Sequence, residues 1–180
     1  MTITVRRPIH HYSPTREKRW RRRAILGLLL LVSAIIQGAG GGAGVFFHFR
    51  PDLVLIVVVC WSLRQGPAGG WWAGAGGGLL SDLFTGGILG MRALSLGTAG
   101  WLAALGSRSL YRAHLTTRVL MVALAVLADG AIYYLLLYVF GEPPGWSAAW
   151  RDIIWPRLWQ TVLIAPLWLL PADRLLGGER

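Results

Sequence analysis

The sequence predicts an all-α integral membrane protein of six transmembrane helices, the second of them short, and three observations carry that expectation. Hydrophobic residues make up 54% of the 180-residue chain and charged residues 14%, against about 25% charged in soluble domains. The mean hydropathy is +0.51. Six apolar blocks run along the chain, several approaching the roughly 20 residues that a bilayer-crossing helix needs. At this length one domain is expected. A basic cytoplasmic tail is assigned to residues 1–23, a six-helix membrane domain to 24–171 and a short cytoplasmic tail to 172–180.

The net charge of +10 is concentrated rather than spread. Eight of the 18 basic residues precede the first apolar block: Arg6, Arg7, Arg16, Lys18, Arg19, Arg21, Arg22 and Arg23. Such a cluster fits a cytoplasmic anchor on anionic lipid, at about 1 kcal/mol per basic residue near the surface. No groove-reading motif or aromatic platform accompanies it, so nucleic acid is not an expected partner.

The first block, Ala24 to Gly40, follows this basic run and reads as an uncleaved signal anchor because further spans come after it. The second, Leu53 to Leu63, has eleven residues, which rise only about 16 Å against a hydrocarbon core of about 30 Å. It must extend into its flanks, thin the bilayer or be shielded by neighbours. Arg50-Pro51-Asp52 marks its entry, with Pro51 in the first turn and Asp52 at the positive end of the helix dipole. Arg64-Gln65-Gly66-Pro67 turns the chain into the third block, Pro67 to Phe84. Cys60, the single cysteine, lies inside the second block and reads as a small core residue.

The third block carries glycine at 66, 70, 74 and 78, and the next step of that ridge is Asp82. Each step of four overshoots a helical turn by about 40°, so Gly74, Gly78 and Asp82 share one broad face. The fourth block, Ile88 to Leu105, has its own small residues at Gly90, Ala93, Gly97, Gly100 and Ala104. Gly70, Gly74, Gly78, Gly97 and Gly100 are therefore candidate packing positions, since lipid gives helices no hydrophobic drive and close approach must replace it. The ridge serves either internal packing or a partner's helix. Asp82 and Arg92 flank the Thr85-Gly86-Gly87 turn, where a salt bridge, a water-mediated pair or a helix-end cap is expected; a ligand, ion or proton role is the alternative.

The fifth block, Thr117 to Phe140, holds Asp129 near its middle with Tyr133 one turn on. A charged carboxylate there costs roughly 2.5–3.5 kcal/mol on insertion scales, so it should face the interior, find donors or carry a proton. Tyr133 is the expected donor. The sixth block, Ile153 to Leu170, contains Pro156 and Pro166, with Arg157, Gln160 and Thr161 between them and Pro171 beyond. The prolines are expected to bend the helix, and the polar residues offer a partner face as the other reading.

With the N-terminus inside and six crossings, fourteen basic residues fall on the inner side and four, Arg50, Arg92, Arg151 and Arg157, on the outer. Both termini are then cytoplasmic. Trp20 and Trp61 lie near the inner surface, while Trp146, Trp150 and Trp155 flank the outer Gly141-Glu142-Pro143-Pro144-Gly145 turn. The sequence has no phosphate-binding glycine loop with its lysine, no metal-spaced His/Cys set and no serine nucleophile beside a base. His10, His11, His48 and His114 are scattered. Neither catalysis nor a cofactor is expected.

Arg50-Pro51-Asp52-Leu53 opening a short apolar helix, Leu63-Arg64-Gln65-Gly66-Pro67, Gly78-Leu79-Leu80-Ser81-Asp82-Leu83 and Gly90-Met91-Arg92-Ala93-Leu94 together resemble the rod-shape-determining MreD family. The likeness is best from Arg50 to Tyr111, and Gln160 to Leu170 is a weaker match to the family's last helix. The resemblance implies a scaffold or regulator in the bacterial cytoplasmic membrane, without catalytic residues. It works there with MreC, MreB, RodA and a penicillin-binding transpeptidase in lateral cell-wall synthesis. The leading expectation is that the glycine-rich pair holds a bitopic partner of the MreC type. The family is also similar to the six-helix substrate-binding membrane subunits of energy-coupling vitamin transporters, which supplies a second expectation, a solute-binding component. Against it, the first block offers only Ala34-xxx-Gly38 where those subunits carry Ala-xxx-Ala, and polar residues in the outer loops are sparse.

Overall fold

The computed structural model describes residues 16–39, 51–86, 88–109, 115–141 and 145–177, and among these the secondary structure is all helical. Five helices come first: α1 (Arg16–Ala39), α2 (Leu53–Gln65), α3 (Pro67–Thr85), α4 (Met91–Ser109) and α5 (Leu115–Phe140). A sixth rod follows in three unbroken pieces, a single turn α6 (Trp146–Ala148), a π-helical segment (Ala149–Ile154) and α7 (Trp155–Gly177). Residues before Arg16, the loop holding Arg50 and His48, most of the Gly141–Gly145 turn, His114 and Arg180 lie outside the described residues.

The first helix begins inside the basic cluster, so Arg16 to Arg23 extend α1 by two turns instead of forming part of a separate tail. Glutamate, lysine and arginine are good helix formers and no proline or glycine interrupts them.

Helix α2 is the centre of the bundle. Ten consecutive residues, Leu53 to Ser62, are buried, with Ile56, Val57, Val58 and Val59 at 0% exposure. A helix apolar all round has no face to give to solvent, so it goes where neighbours cover every side. It packs against α1, α3, α4, α5 and α7. Of the three ways expected for so short a helix, the structure shows shielding: neighbouring helices cover these 13 residues.

Successive rods run antiparallel. Gly70 of α3 lies beside Ser62 of α2, and Gly77 beside Val54. Gly70 also meets Gly100 of α4, while Gly78 meets Arg92 and Ala93. Gly106 faces Met121 across α4 and α5, and Gly130 faces Ile154 where α5 meets the last rod. In consequence the C-terminal ends of α1 and α3 and the N-terminal ends of α2, α4 and α7 gather at one end of the bundle.

The outside is apolar. Leu28 and Ile36 on α1, Trp72 and Leu83 on α3, Trp101 on α4, Leu124 and Leu135 on α5, and Leu163 and Leu167 on α7 are all exposed, Trp72 by 74%. Asp52, Asp82 and Asp129, by contrast, are each 2% exposed or less. Monomeric soluble proteins rarely expose contiguous apolar area on this scale. By length and composition one described helix, Thr116–Phe140, suffices to cross a membrane, and α2 is apolar but shorter. Helices α3 and α4 have 19 residues each, about 28 Å of rise, but glycine and hydroxyl residues dilute their hydropathy.

The last rod continues through Pro156, Pro166 and Pro171. Proline 156 explains the π-helical segment before it. Its ring cannot donate a backbone hydrogen bond and crowds the carbonyl four residues back, and widening the preceding turns relieves both. The wider turns also keep Ala149 and Ile154 on the buried side, five residues apart.

Candidate functional site: an ion cluster where five helices meet

Asp52 caps α2 from a position 1% exposed. Its Oδ1 accepts from the Leu55 amide at 3.1 Å, satisfying one of the amides that a helix start leaves unpaired, and from Gln37 Nε2 of α1 at 3.1 Å. Gln37 Nε2 also donates to the Pro51 carbonyl at 3.1 Å, which fixes the entry of the chain into α2. The Asp52 amide itself donates to Thr161 Oγ1 of α7 at 2.9 Å.

The second oxygen, Asp52 Oδ2, takes two arginines. Arg92 Nη2 at the start of α4 donates to it at 2.9 Å, and Arg157 Nη2 at the start of α7 donates to it as well. Both guanidinium groups sit at the positive end of the α2 dipole, so the carboxylate between them offsets charge that would otherwise be uncompensated. Arg157 Nη2 also stands 2.6 Å from Asp129 Oδ2 of α5. That contact is a close ion pair, and among the described residues no other partner reaches either Asp129 oxygen.

Two carboxylates and two guanidinium groups therefore balance in formal charge, at the level where α1, α2, α4, α5 and α7 converge. The arginine side chains are 21% and 18% exposed and the carboxylates 1% each. A charge-balanced set of this kind can hold five helices in one register, because each carboxylate is stable only while its cation stays in reach. Among the described residues no group of three or more His, Cys, Asp or Glu side chains is arranged to hold a metal ion.

The expected residues divide between two places. Asp52, Arg92 and Asp129 belong to the cluster; Arg50 lies outside the described residues. A direct Asp82–Arg92 salt bridge does not form. Asp82 Oδ2 instead accepts from the Gly90 amide at 2.8 Å, tying the end of α3 to the turn before α4. The turn needs glycine at 86 and 90, where φ is 67° and 96°. The start of α4 faces α2, so the long Arg92 side chain reaches the buried cap rather than crossing back over the turn. Asp129 likewise takes its contact from Arg157 and accepts no hydrogen bond from Tyr133.

The glycine ridge is occupied within the chain. A Cβ on Gly70 would stand 2.6 Å from the Gly100 carbonyl oxygen, and those on Gly74 and Gly78 would meet the backbones of Leu96 and Arg92. Gly100 in turn faces the Gly70 carbonyl at 2.7 Å, whereas Gly97 has ordinary room beside Trp71 and Ala75.

Arg157, Gln37 and Thr161 complete the cluster without having been tied to it by sequence. A family model described as rod shape-determining protein MreD matches residues 18–172 of the chain. No curated protein and no solved structure matches it.

Proposed function

The chain belongs to the rod shape-determining MreD family, and from that premise we propose that it is a non-enzymatic membrane scaffold in the maintenance of rod shape. It supports lateral peptidoglycan synthesis by holding a bitopic MreC-type protein within a larger assembly with RodA, a penicillin-binding transpeptidase and MreB. The single observation that carries the reading is the family match over residues 18–172, which takes in every element of the ion cluster. The cluster is compatible with a structural role because its charges engage one another, with Asp52 saturated by four donors from its own chain.

In this reading all six rods cross the cytoplasmic membrane, α2 within the shelter of the others. The alternation of the rods supports that arrangement. So does the distribution of basic residues, with Arg16 to Arg23, Arg64 and Arg118 toward the end of the bundle opposite the ion cluster. The N-terminal basic residues, carried on α1, meet anionic lipid there.

Because α4 occupies the glycine ridge, the partner's helix is expected on the outward faces, and the ridge contributes by fixing the shape of those faces. No observation favours the solute-binding alternative. Gentle extraction followed by identification of co-purifying proteins tests the reading. Recovery of cell-wall synthesis proteins is the expected result, and recovery of an ATPase with coupling subunits instead would overturn it.

A further inference from the structure

The ion cluster lies deep in the membrane. Arg64 in the last turn of α2 and Arg118 in the first turn of α5 belong to the basic set that collects at the cytoplasmic surface. From Arg64 to Asp52 the chain rises about 18 Å, and from Arg118 to Asp129 about 16 Å. Arg92 sits beside Gly78, and α3 rises about 16 Å from Pro67 to that glycine. Three helices thus set the cluster at or just beyond half the depth of a hydrocarbon core of about 30 Å. Helix α5 continues about 16 Å past Asp129 to Phe140, whereas α2 and α4 begin at the cluster. Among the described residues no helix continues the column of α2 beyond Asp52.

The part of the cluster left uncovered is cationic. Both carboxylates are buried, while the side chains of Arg92 and Arg157 keep about a fifth of their surface. Among the described residues each guanidinium group engages through Nη2 alone, so N–H donors on Nε and Nη1 of both are left over. Hydrocarbon offers such donors no acceptor, and ionisable groups at this depth face a packed interior or a water-filled cavity. A packed interior would leave the guanidinium groups no exposed surface. On the cytoplasmic side of the cluster Leu53 to Ser62 are all buried, so water reaches it from the other end.

We propose that the cluster is the floor of a water-filled site that opens at the outer surface and reaches half-way through the membrane over α2. Water is its ligand, and because the exposed groups are donors, whatever displaces that water is a hydrogen-bond acceptor. The site also accounts for the length of α2. Its 13 residues, covered on their sides by other helices, have only the inner half of the membrane to cross. The inference rests on the proposed crossing of the membrane by these rods, and its test separates the two.

Single cysteines in a Cys60→Ala background, treated in intact cells with a charged, membrane-impermeant thiol reagent, test it. Arg92→Cys puts the thiol at the cluster, and Leu79→Cys, next to Gly78 at the same height, puts it on the outward face of α3. Arg92→Cys should react within about tenfold of the rate at Ile88→Cys in the outer turn, and Leu79→Cys about a hundredfold more slowly, because the reacting thiolate does not form against lipid. An unreactive Arg92→Cys beside a reactive Ile88→Cys overturns the water-filled site and leaves the crossing intact. Equal reaction at Arg92→Cys and Leu79→Cys means that lipid does not cover α3 at that height, and overturns the crossing and the site together. If Arg92→Cys does not accumulate, Gln37→Cys, whose native amide donates to Asp52, takes its place. If neither accumulates, an arginine-directed dicarbonyl too polar to enter lipid is applied to the parent protein and read by peptide mass. Labelling of Arg92 or Arg157 supports the site, and labelling of neither overturns it.

Discussion

Two arginines serve the buried carboxylates unequally, and single substitutions should expose the difference. Arg157→Leu leaves Asp129 without its described cation, and breaking a buried pair from one side costs about 3–5 kcal/mol. Arg92→Leu leaves Asp52 with Arg157, Gln37 and an amide, so the loss is nearer that of one charged hydrogen bond, about 1.5–3 kcal/mol. Thermal melts of the detergent-extracted variants should place Arg157→Leu below Arg92→Leu; the reverse order would show that Asp129 has another donor. Asp82 calls for a different comparison, because its described hydrogen bond comes from the Gly90 amide rather than from a cation. Asp82→Asn keeps an acceptor and should cost about 1 kcal/mol or less, whereas Asp82→Leu strands a turn amide and costs about 1–3 kcal/mol. Equal losses would mean that the negative charge itself is needed. The sequence marks Asp82, Asp129 and Arg92 as charges out of place in apolar runs and Asp52 as a helix entry, but not the pairing that forms. Asp52 meets partners 40 and 105 residues away, beyond the reach of any helical spacing rule. The short turn at 85–87 made Asp82 and Arg92 look like partners, although α4 presents Arg92 to α2.

At the scale of the helix, glycine spacing is legible because it is local. The four-residue ridge on α3 predicts close approach, and it meets α4 with carbonyls where a Cβ would stand. Gly74→Ala and Gly78→Ala should each destabilise the fold by about 1–3 kcal/mol, the usual cost of overpacking. Gly76, on the same helix but with nothing within 4 Å of an added Cβ, should accept alanine without loss, and so should Gly97, whose nearest neighbours lie at 3.4–3.5 Å. Melting temperatures of the four variants test the assignment, and equal sensitivity at Gly76 would mean that a contact other than the α3–α4 interface sets the cost, because helix propensity favours alanine over glycine. The place of Asp52 at the start of α2 was equally readable, since caps are written in adjacent residues, although Pro51 precedes the cap instead of entering the first turn. Its central place was not, because a short apolar run reads the same whether lipid or protein surrounds it. The π-helical segment escaped for a related reason: Pro156 signals a disturbance, but whether the helix bends or widens depends on the Ile154–Gly130 packing it must preserve.

For the molecule as a whole, an apolar exterior around a buried, charge-balanced cluster suits a protein solvated by lipid, where packing and internal pairing replace hydrophobic exclusion from water. The six-rod alternation was legible from apolar blocks and turns, since block order alone dictates antiparallel neighbours when connections are short. The orientation proposed for the membrane rests on a separate argument. Basic residues are retained on the cytoplasmic side, and the N-terminal cluster, Arg64 and Arg118 lie toward the end opposite Asp52. Single cysteines in a Cys60→Ala background convert this into a measurement in intact cells. Ile88→Cys, in the exposed turn between α3 and α4, should be blocked by a membrane-impermeant thiol reagent, whereas Gln65→Cys, exposed at the end of α2, should react only after the membrane is permeabilised. The two sites are separated by α3 alone, so opposite reactivity requires α3 to cross. It would also establish that a helix diluted by glycine spans the bilayer when its backbone is sealed against α4. Reaction of both from outside would instead place the α2–α3 turn on the same side as the α3–α4 turn, so that α3 does not cross and the course of the rods before it has to be redrawn.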